Sequence, residues 1–340
     1  MRKLLNVLYV TTPDAYLGKD GLNVVVSVNQ EEVFRIPAIN IEGIVTFGYK
    51  GVSPGVMKLC NDNGISLTFL SPHGKFISRM QGATKGNVLL RKKQYQLSDD
   101  EQWSLHVARL MISGKIQNYR NILRRYIRDY GDNEEINKAV YVLDHAKYSA
   151  LTAQDKMALI GYEGIASNAY FEVLPILILN QKADFQFQGR SRRPPKDAVN
   201  AMLSFAYTLI ANDVAAALET VGLDPYVGFL HTLRPGRISL ALDMMEELRA
   251  YLGDRFVLSL INKKQITAKD FLFQADQGVV MTDKGKKTFI SVWQGRKREE
   301  ITHPYLNEKI EIGLLPYVQA MLMARYIRQD IDDYPVFLIK

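Results

Sequence analysis

Residues 83–100 read ATKGNVLLRKKQYQLSDD, and the hydrophobic pattern of the chain changes across this stretch. The part before it contains short runs of β-branched and aromatic residues separated by turn residues, a pattern that predicts strands. One helix interrupts these runs at SPGVMKLCNDNG, where Ser53 is suited to the N-cap and Pro54 to the first helical position. We therefore predict a small, mostly antiparallel β domain over residues 1–85 and a linker over residues 86–100. The predicted strands are LLNVLYV, NVVVSVN, EEVFRIPA, IEGIVTFG, ISLTFLSP and KFISRMQG.

Beyond this stretch the periodicity becomes helical as far as about residue 260. Ser98 with Glu101 three residues later is a capping-box signature, which predicts that a helix starts here. The spacing of apolar residues then predicts a series of helices. They cover residues 101–129, 133–146, 152–171, 197–220, 238–252 and 256–262.

The last part of the chain has a mixed pattern. After Asp270 the runs GVVMT, KTFISVWQGR and ITHP predict a short hairpin. A final helix is expected over residues 307–330, with a kink at Pro316. The predicted fold class is therefore α+β, with a small N-terminal β-rich domain followed by a larger all-α domain over residues 101–340 that we expect to hold the functional site.

Composition limits the class of protein. The chain has 340 residues, 47% of them hydrophobic, and a net charge of +7. The length favours two domains, and the charge favours an anionic partner such as nucleic acid, a phosphate-rich ligand or a membrane surface. The single cysteine, Cys60, excludes an intrachain disulfide and a cysteine zinc site. The apolar runs are too short for a membrane span, so we expect a cytoplasmic protein.

A histidine followed by an acidic helix is the first candidate site. Residues 231–248, HTLRPGRISLALDMMEEL, place His231 ahead of a helix that carries Asp243, Glu246 and Glu247. A lone histidine in such a place is more often a core residue with one hydrogen bond than a ligand. The acids are three and four residues apart, so they are neighbours that repel one another. Either they face solvent or a cation holds them, and their spacing does not choose between Glu246 and Glu247 as a ligand.

Glu163 in LIGYEGIASNAYF is the second candidate. Gly161 and Gly164 each cost the predicted helix about 1 kcal/mol relative to alanine, which favours a close approach of its backbone to something else. Glu163 lies on the same side as Leu159 and Tyr170, so its carboxylate should be paired, protonated or bound to a metal. A salt bridge to an arginine is an equally good interpretation.

One imidazole and several carboxylates together form a ligand set that suits Mg²⁺ or Mn²⁺. These metals serve reactions at phosphodiesters. Arginines could bind the phosphates, although a solvated basic surface is an equal alternative for the helical stripe. The candidate DNA contacts are Arg190, Arg192 and Arg193 in one loop, Arg234 and Arg237 after His231, and Arg120, Arg124 and Arg128 at four-residue spacing on a helix.

Three segments carry a family resemblance. GYEGIASNAYF, RSRRPPKDAVNAMLSFAYTLI and GFLHTLRPGRISLALDMMEELR resemble the hallmark segments of the CRISPR-associated adaptation integrase, the larger subunit of the spacer-acquisition complex. The opening TTPDAYLGKDGLNVVV resembles members from subtype I-C systems. The resemblance implies a homodimer, with dimerisation expected through the N-terminal β domain, and a small ferredoxin-like CRISPR-associated partner. It implies double-stranded DNA as substrate, both as incoming fragment and as CRISPR repeat.

The resemblance also implies roles for individual residues. It makes Glu163, His231 and Glu246 the metal ligands and Asp243 a supporting carboxylate, although many relatives have aspartate at the last ligand position. The implied reaction is a metal-dependent transesterification, in which the 3′-hydroxyl of a DNA fragment attacks a phosphodiester at the edge of a repeat. Two alternatives stay open. One is a metal-dependent nuclease on branched DNA in repair, with water as nucleophile, and the other is a non-catalytic DNA-binding scaffold.

Overall fold

The computed structural model describes residues 7–12, 14–48, 50–72, 74, 76–80, 87–274 and 278–339. A β-rich N-terminal part comes first and a mostly helical part follows, so the predicted α+β class is confirmed. The first seven strands are β1 (Val7–Val10), β2 (Ala15–Asp20), β3 (Asn23–Val28), β4 (Glu31–Pro37), β5 (Gly43–Phe47), β6 (Ser66–Leu70) and β7 (Phe76–Met80).

These strands form two sheets. Strands β2, β3 and β4 make an antiparallel sheet, whereas the other sheet has the order β1-β5-β6-β7. The expectation of a mostly antiparallel domain is wrong for this second sheet, because β1, β5 and β6 run parallel. Parallel neighbours need a crossover connection, and helix α1 (Pro54–Asn63) supplies it between β5 and β6. As predicted, Ser53 caps α1, with its Oγ accepting from the backbone N–H of Val56 at 3.2 Å.

The mixed sheet packs against the helices. Val45, Phe47 and Leu70 belong to the same buried core as the helical part, and the ring centroids of Phe47 and Phe205 are 5.8 Å apart. The two parts of the chain therefore share an apolar core. The proposed boundary at residue 85 falls among residues 81–86, which lie outside the described residues.

The stretch predicted as a linker over residues 86–100 is instead mainly helix α2 (Val88–Asp99). The next helix is capped by Asp100 rather than Ser98, because Asp100 Oδ1 accepts from the backbone N–H of Trp103 at 3.0 Å. The helices that follow lie close to their predicted bounds. They are α3 (Glu101–Tyr130), α4 (Glu134–Leu151), α5 (Lys156–Val173), α6 (Ala198–Val221), α7 (Ser239–Leu248), a π-helical turn (Arg249–Asp254) and α8 (Arg255–Asn262).

The C-terminal part differs from the prediction in two places. KTFISVWQGR belongs to helix α9 (Asp283–Lys297), in which Phe289 and Trp293 are buried four residues apart on one face. The last helix, α10 (Leu315–Ile327), starts later than expected, so Pro316 lies in its first turn, where no N–H is needed, and causes no kink. Two short hairpins complete this part: β8 (Phe271–Phe273) with β9 (Val279–Met281), and β10 (Glu300–Thr302) with β11 (Lys309–Glu311).

Helices α3 and α6 both lie in the core, and α3 determines where the candidate site lies. Within the described part of the chain, α6 is the one helix long and apolar enough to cross a membrane by length and composition, and most of it is buried as a core helix. Helix α3 runs through the same core and packs against α4, α5 and α7. Side chains of α5 and α7 can therefore meet across α3.

Candidate active site

His231 is held in place by Asp243 of α7. Asp243 is fully buried, and its Oδ2 accepts from the backbone N–H groups of Phe229 at 2.6 Å and Leu230 at 2.9 Å. Its Oδ1 accepts from the backbone N–H of His231 at 3.0 Å and lies 2.5 Å from His231 Nδ1. A carboxylate surrounded by N–H donors acts as an acceptor, so Nδ1 carries the proton and donates it. The Nε2 lone pair of His231 is then available to a ligand, as in carboxylate–histidine–metal sites.

Gly228 makes this arrangement possible. A Cβ atom at this position would lie 2.5 Å from Asp243 Oδ2 and 2.7 Å from the carbonyl carbon of Ser239. Both distances are too short for a side chain. The loop that carries His231 can approach the start of α7 only because residue 228 is glycine.

Glu163 of α5 and Glu246 of α7 converge on one cation. Lys115 of α3 is buried, and its Nζ lies 2.7 Å from Glu246 Oε2 and also pairs with Glu163 Oε1. Ser167 Oγ donates to Glu163 Oε1 at 2.7 Å. Arg249 donates to Glu246 Oε2 at 3.0 Å. Glu163 is therefore paired, but with a lysine and not with the arginine that one interpretation expected.

The electrostatics keep both carboxylates negative. Burial raises the pKa of Glu246, but Arg249 and Lys115 outweigh it and bring the pKa down to about 2. Burial likewise opposes ionisation of Glu163, and Lys115 overcomes it, so the pKa of Glu163 is lowered from its usual value. His231 is also close enough to Glu246 to lower its pKa.

Glu247 faces a different part of the molecule. Its carboxylate accepts from Gln319 Nε2 at 3.0 Å, from the Tyr334 hydroxyl and from the backbone N–H of Phe337. Burial raises the pKa of Glu247 to about 7, and these three donors oppose that rise. Glu247 thus holds the C-terminal segment against the helices, whereas Glu246 is the acid that shares a cation with Glu163.

The donor set fits a divalent cation. Among the described residues, no three His, Cys, Asp or Glu side chains are already gathered closely enough to hold a metal ion. Glu163 and Glu246 are instead drawn together by the Lys115 ammonium, which acts as a stand-in cation between them. Two carboxylate oxygens and one imidazole nitrogen are ligands that Mn²⁺ and, with less tolerance for histidine, Mg²⁺ accept.

The predicted phosphate contacts in the two loops divide into exposed and inward-facing side chains. Arg234 is exposed and Arg237 half-buried in a turn closed by a 3.0 Å hydrogen bond from the Arg237 N–H to the Arg234 carbonyl. Arg192 and Arg193 are also exposed. Arg190 points inward, since its guanidinium donates to Asn200 and Ser204 of α6. That contact fits a residue that fixes the loop.

The helical arginine stripe is partly neutralised. Arg120 is largely buried and lies 2.5 Å from Asp144 of α4, and Arg124, which is exposed, lies 3.7 Å from the other oxygen of Asp144. Arg128 is exposed and pairs with Asp129. Arg124 and Arg128 are therefore the members of the stripe that an external phosphate could reach.

The close approach predicted for the two glycines of α5 is not made by any other part of the described chain. A Cβ atom at Gly161 or at Gly164 would meet no other atom within 4 Å. Both positions face open space, beside the exposed side chains of Met157 and Ile160. No part of the described chain approaches the helix backbone there.

Sequence reasoning missed the residues that support the acids. No local sequence pattern singles out these residues, which are Lys115, Arg249, Ser167 and Gly228. Arg249 belongs to the π-helical turn and lies over the ring of Tyr207, 4.5 Å from its centroid. Such turns are frequent at functional sites. Two acids and an imidazole form a ligand set that Mg²⁺ and Mn²⁺ accept, and exposed arginines lie between the two acids in the sequence. This combination fits enzymes that act on phosphodiesters.

Comparison with known proteins agrees with this class. The sequence profile of the family described as CRISPR associated protein Cas1 matches residues 8–295. CRISPR-associated endonuclease Cas1 1 of Chlorobaculum tepidum is 49% identical over 341 residues, covering 99% of each chain. CRISPR-associated endonuclease Cas1 2 of Rhodospirillum rubrum is 45% identical over 347 residues, covering 100% of each chain. The chain therefore belongs to the Cas1 family, and the expectation that it is an enzyme of the endonuclease class is confirmed.

Solved structures share the fold. A Cas1 protein from Thermotoga maritima superposes with a TM-score of 0.82 at 22% identity, covering 98% of this chain and 100% of that chain. A casposase bound to integration product superposes with a TM-score of 0.84 at 20% identity, covering 98% of this chain and 93% of that chain. Both likenesses extend over nearly the whole chain and show the same architecture.

Proposed function

We propose that this chain is a metal-dependent DNA endonuclease and integrase that inserts foreign DNA fragments into a CRISPR array as new spacers. The 3′-hydroxyl of a fragment attacks a phosphodiester of the repeat, in a transesterification. One observation carries the proposal: Glu163 and Glu246, from different helices, converge on one cation. His231, whose ring is fixed by Asp243, is close enough to Glu246 to lower its pKa. The family membership and the likeness to a casposase bound to integration product support it.

Each residue of the site has a role in this proposal. Glu163, His231 and Glu246 would hold Mg²⁺ or Mn²⁺, which when bound polarises the phosphodiester and offsets charge on the leaving oxygen. Asp243 keeps the proton on His231 Nδ1 and so directs Nε2 to the site. Arg249 holds Glu246 in place through the hydrogen bond to Oε2.

The arginines supply the second part of the mechanism. Exposed guanidinium groups at Arg192, Arg193 and Arg234 can bind the DNA backbone and align the attacking hydroxyl with the leaving oxygen. Arg237, Arg124 and Arg128 are further candidate contacts to the DNA backbone. The net charge of +7 supports a nucleic-acid substrate.

We also propose the assembly in which the enzyme works. It acts in the cytoplasm as a homodimer that binds double-stranded DNA, with the N-terminal β domain over residues 1–85 as the dimer contact. Its partner is the small ferredoxin-like CRISPR-associated protein, and a structure of this fold was solved as a Cas6-RT-Cas1–Cas2 complex. The opening of the sequence favours subtype I-C.

The test uses the full chain with its small partner, a plasmid that contains the repeat, and fragments with or without a free 3′-hydroxyl. Joined product that forms only with the hydroxyl and with Mn²⁺ supports integration. Equal nicking with both fragments would favour the branched-DNA nuclease. Glu163→Ala and His231→Ala should abolish joining and keep DNA binding, whereas unchanged joining in both folded variants would favour a non-catalytic scaffold.

A further inference from the structure

Lys115 is an unusual residue in this site because its charge is buried. Its side chain is 1% exposed, and lysine is almost never buried to this degree unless it is paired. Here it is paired twice, with Glu163 of α5 and with Glu246 of α7. An unpaired charge at this depth would be strongly destabilising, so the two acids and the ammonium depend on one another.

The lysine uses the atoms that a metal would need. Its Nζ contacts Glu163 Oε1 and Glu246 Oε2, the oxygens by which the two helices face each other. A divalent cation bound by both carboxylates would occupy the same region and would repel the ammonium. The absence of a ready-made metal cluster among the described residues agrees with acids arranged around an ammonium group.

A third buried carboxylate, that of Asp254, lies within the field of the Lys115 ammonium. Asp254 is fully buried, and its Oδ2 makes no hydrogen bond in the described part of the chain. Lys115 is among the cations whose field reaches Asp254 and lowers its pKa. Above its pKa of about 6 the Asp254 carboxylate is ionised, and it would offer its charge to an ammonium displaced from Glu163 and Glu246.

We propose that Lys115 is the resident cation of this site and competes with the divalent metal for Glu163 and Glu246. In the metal-free enzyme it prevents repulsion between the two carboxylates and keeps them in position. Metal loading requires the ammonium to leave, so Lys115 sets the metal concentration at which the enzyme becomes competent. This inference rests on the proposed function, because it assumes that Glu163 and Glu246 bind the metal.

The test measures Mn²⁺ binding by the full chain without DNA, by titration calorimetry, together with the melting temperature. Lys115→Met, which removes the charge and keeps most of the volume, should bind Mn²⁺ at least about tenfold more tightly than the wild type. Without metal this variant should have a lower melting temperature than the wild type. Saturating Mn²⁺ should raise the melting temperature of the variant by more than it raises that of the wild type. A merely structural lysine would give the loss of stability without the gain in affinity.

Two further variants make the result specific. Lys297→Met removes another buried lysine, 2.7 Å from Asp213, and should lower the melting temperature without tighter Mn²⁺ binding. Lys115→Arg keeps the charge in a group that pairs more firmly with carboxylates, so it should bind Mn²⁺ more weakly than the wild type. If Lys115→Met does not fold, the Mn²⁺ affinity of Lys115→Arg tests the competition between Lys115 and the metal.

The possible failures can be told apart. If Mn²⁺ binds the wild type and Glu163→Ala abolishes that binding, but Lys115→Met binds no more tightly, the competition is overturned and the proposed function stands. Mn²⁺ binding by Lys115→Arg equal to or tighter than the wild type would also overturn it. Mn²⁺ binding by the wild type that Glu163→Ala leaves unchanged would overturn both the inference and the proposed metal site.

Discussion

Asp243 contacts His231 twice, because its Oδ1 lies 2.5 Å from the ring Nδ1 and accepts the backbone N–H of the same residue at 3.0 Å. Ring and backbone are therefore fixed by one buried carboxylate. Orientation of this kind is worth about 10–100-fold in metal affinity or activity in other sites. The proposed role of His231 as a metal ligand therefore depends on Asp243, which fixes the orientation of its ring.

Asp243→Asn should consequently impair both the site and the fold. The amide cannot accept from every N–H group that now points at the carboxylate, and an unsatisfied buried donor costs about 1–3 kcal/mol. We expect a lower melting temperature and a loss of Mn²⁺ affinity of about 10–100-fold. Calorimetry on the folded variant checks this, and Mn²⁺ affinity equal to the wild type would refute the role assigned to Asp243.

Gly228→Ala should damage the same loop from its other side. The added Cβ would lie 2.5 Å from Asp243 Oδ2, so the loop must move away from α7, and we expect a cost of about 1–3 kcal/mol in the free energy of unfolding. Gly161→Ala is the matched control in α5, where the Cβ meets nothing and the helix should gain up to about 1 kcal/mol. Denaturant unfolding of both variants checks the contrast, which fails if the two changes have the same sign.

The arginines can be separated by the salt dependence of DNA binding. Arg234→Ala should lower the slope of log affinity against log salt by about 0.9, as expected for the loss of one phosphate contact, and leave the melting temperature unchanged. Arg190→Ala should leave the slope unchanged and lower the melting temperature, because its guanidinium donates to Asn200 at 2.5 Å inside the fold. An unchanged slope in Arg234→Ala would remove this residue from the DNA interface.

Much of the scaffold is readable from local sequence patterns, since its signals are short-range. Ser53 and Pro54 mark the start of α1, and the structure places the helix there. KTFISVWQGR was predicted as strand because β-branched and aromatic residues dominate it, yet Phe289 and Trp293 bury one face of a helix. Tertiary packing overrides strand propensity in this segment.

The site is less readable because its decisive contacts join distant segments. Lys115 lies 48 residues before Glu163, and nothing local distinguishes it from a solvated lysine. Glu246 and Glu247 are neighbours in the sequence whose side chains point in different directions. Glu246 pairs with Lys115 of α3, and Glu247 accepts from Phe337 in the C-terminal segment. The resemblance selected Glu246, whereas spacing left both acids open.

Asp254 gives a prediction for the pH dependence of stability. Burial raises its pKa from 3.8 to about 6, so the folded state holds a proton there that the unfolded state releases. This contribution to stability is complete below pH 3.8 and is lost as the pH rises through about 6. Asp254→Asn cannot titrate, so its melting temperature relative to the wild type should rise between pH 4 and pH 6. A difference in melting temperature between the variant and the wild type that stays constant from pH 4 to pH 6 would contradict the protonation of Asp254.

The adjacent acids of α7 offer the most direct test of the central claim, that Glu246 with Glu163 and His231 holds the metal for DNA joining. The measurement is Mn²⁺-dependent joining of a 3′-hydroxyl fragment to a repeat-containing plasmid by Glu246→Gln and Glu247→Gln, well below their melting temperatures. We predict that Glu246→Gln loses more than about 100-fold in joining, since even supporting residues are worth about 10–100-fold. Glu247→Gln should lose about 1–3 kcal/mol of stability and keep its joining activity. Joining that survives in Glu246→Gln, or falls equally in both folded variants, would contradict the account.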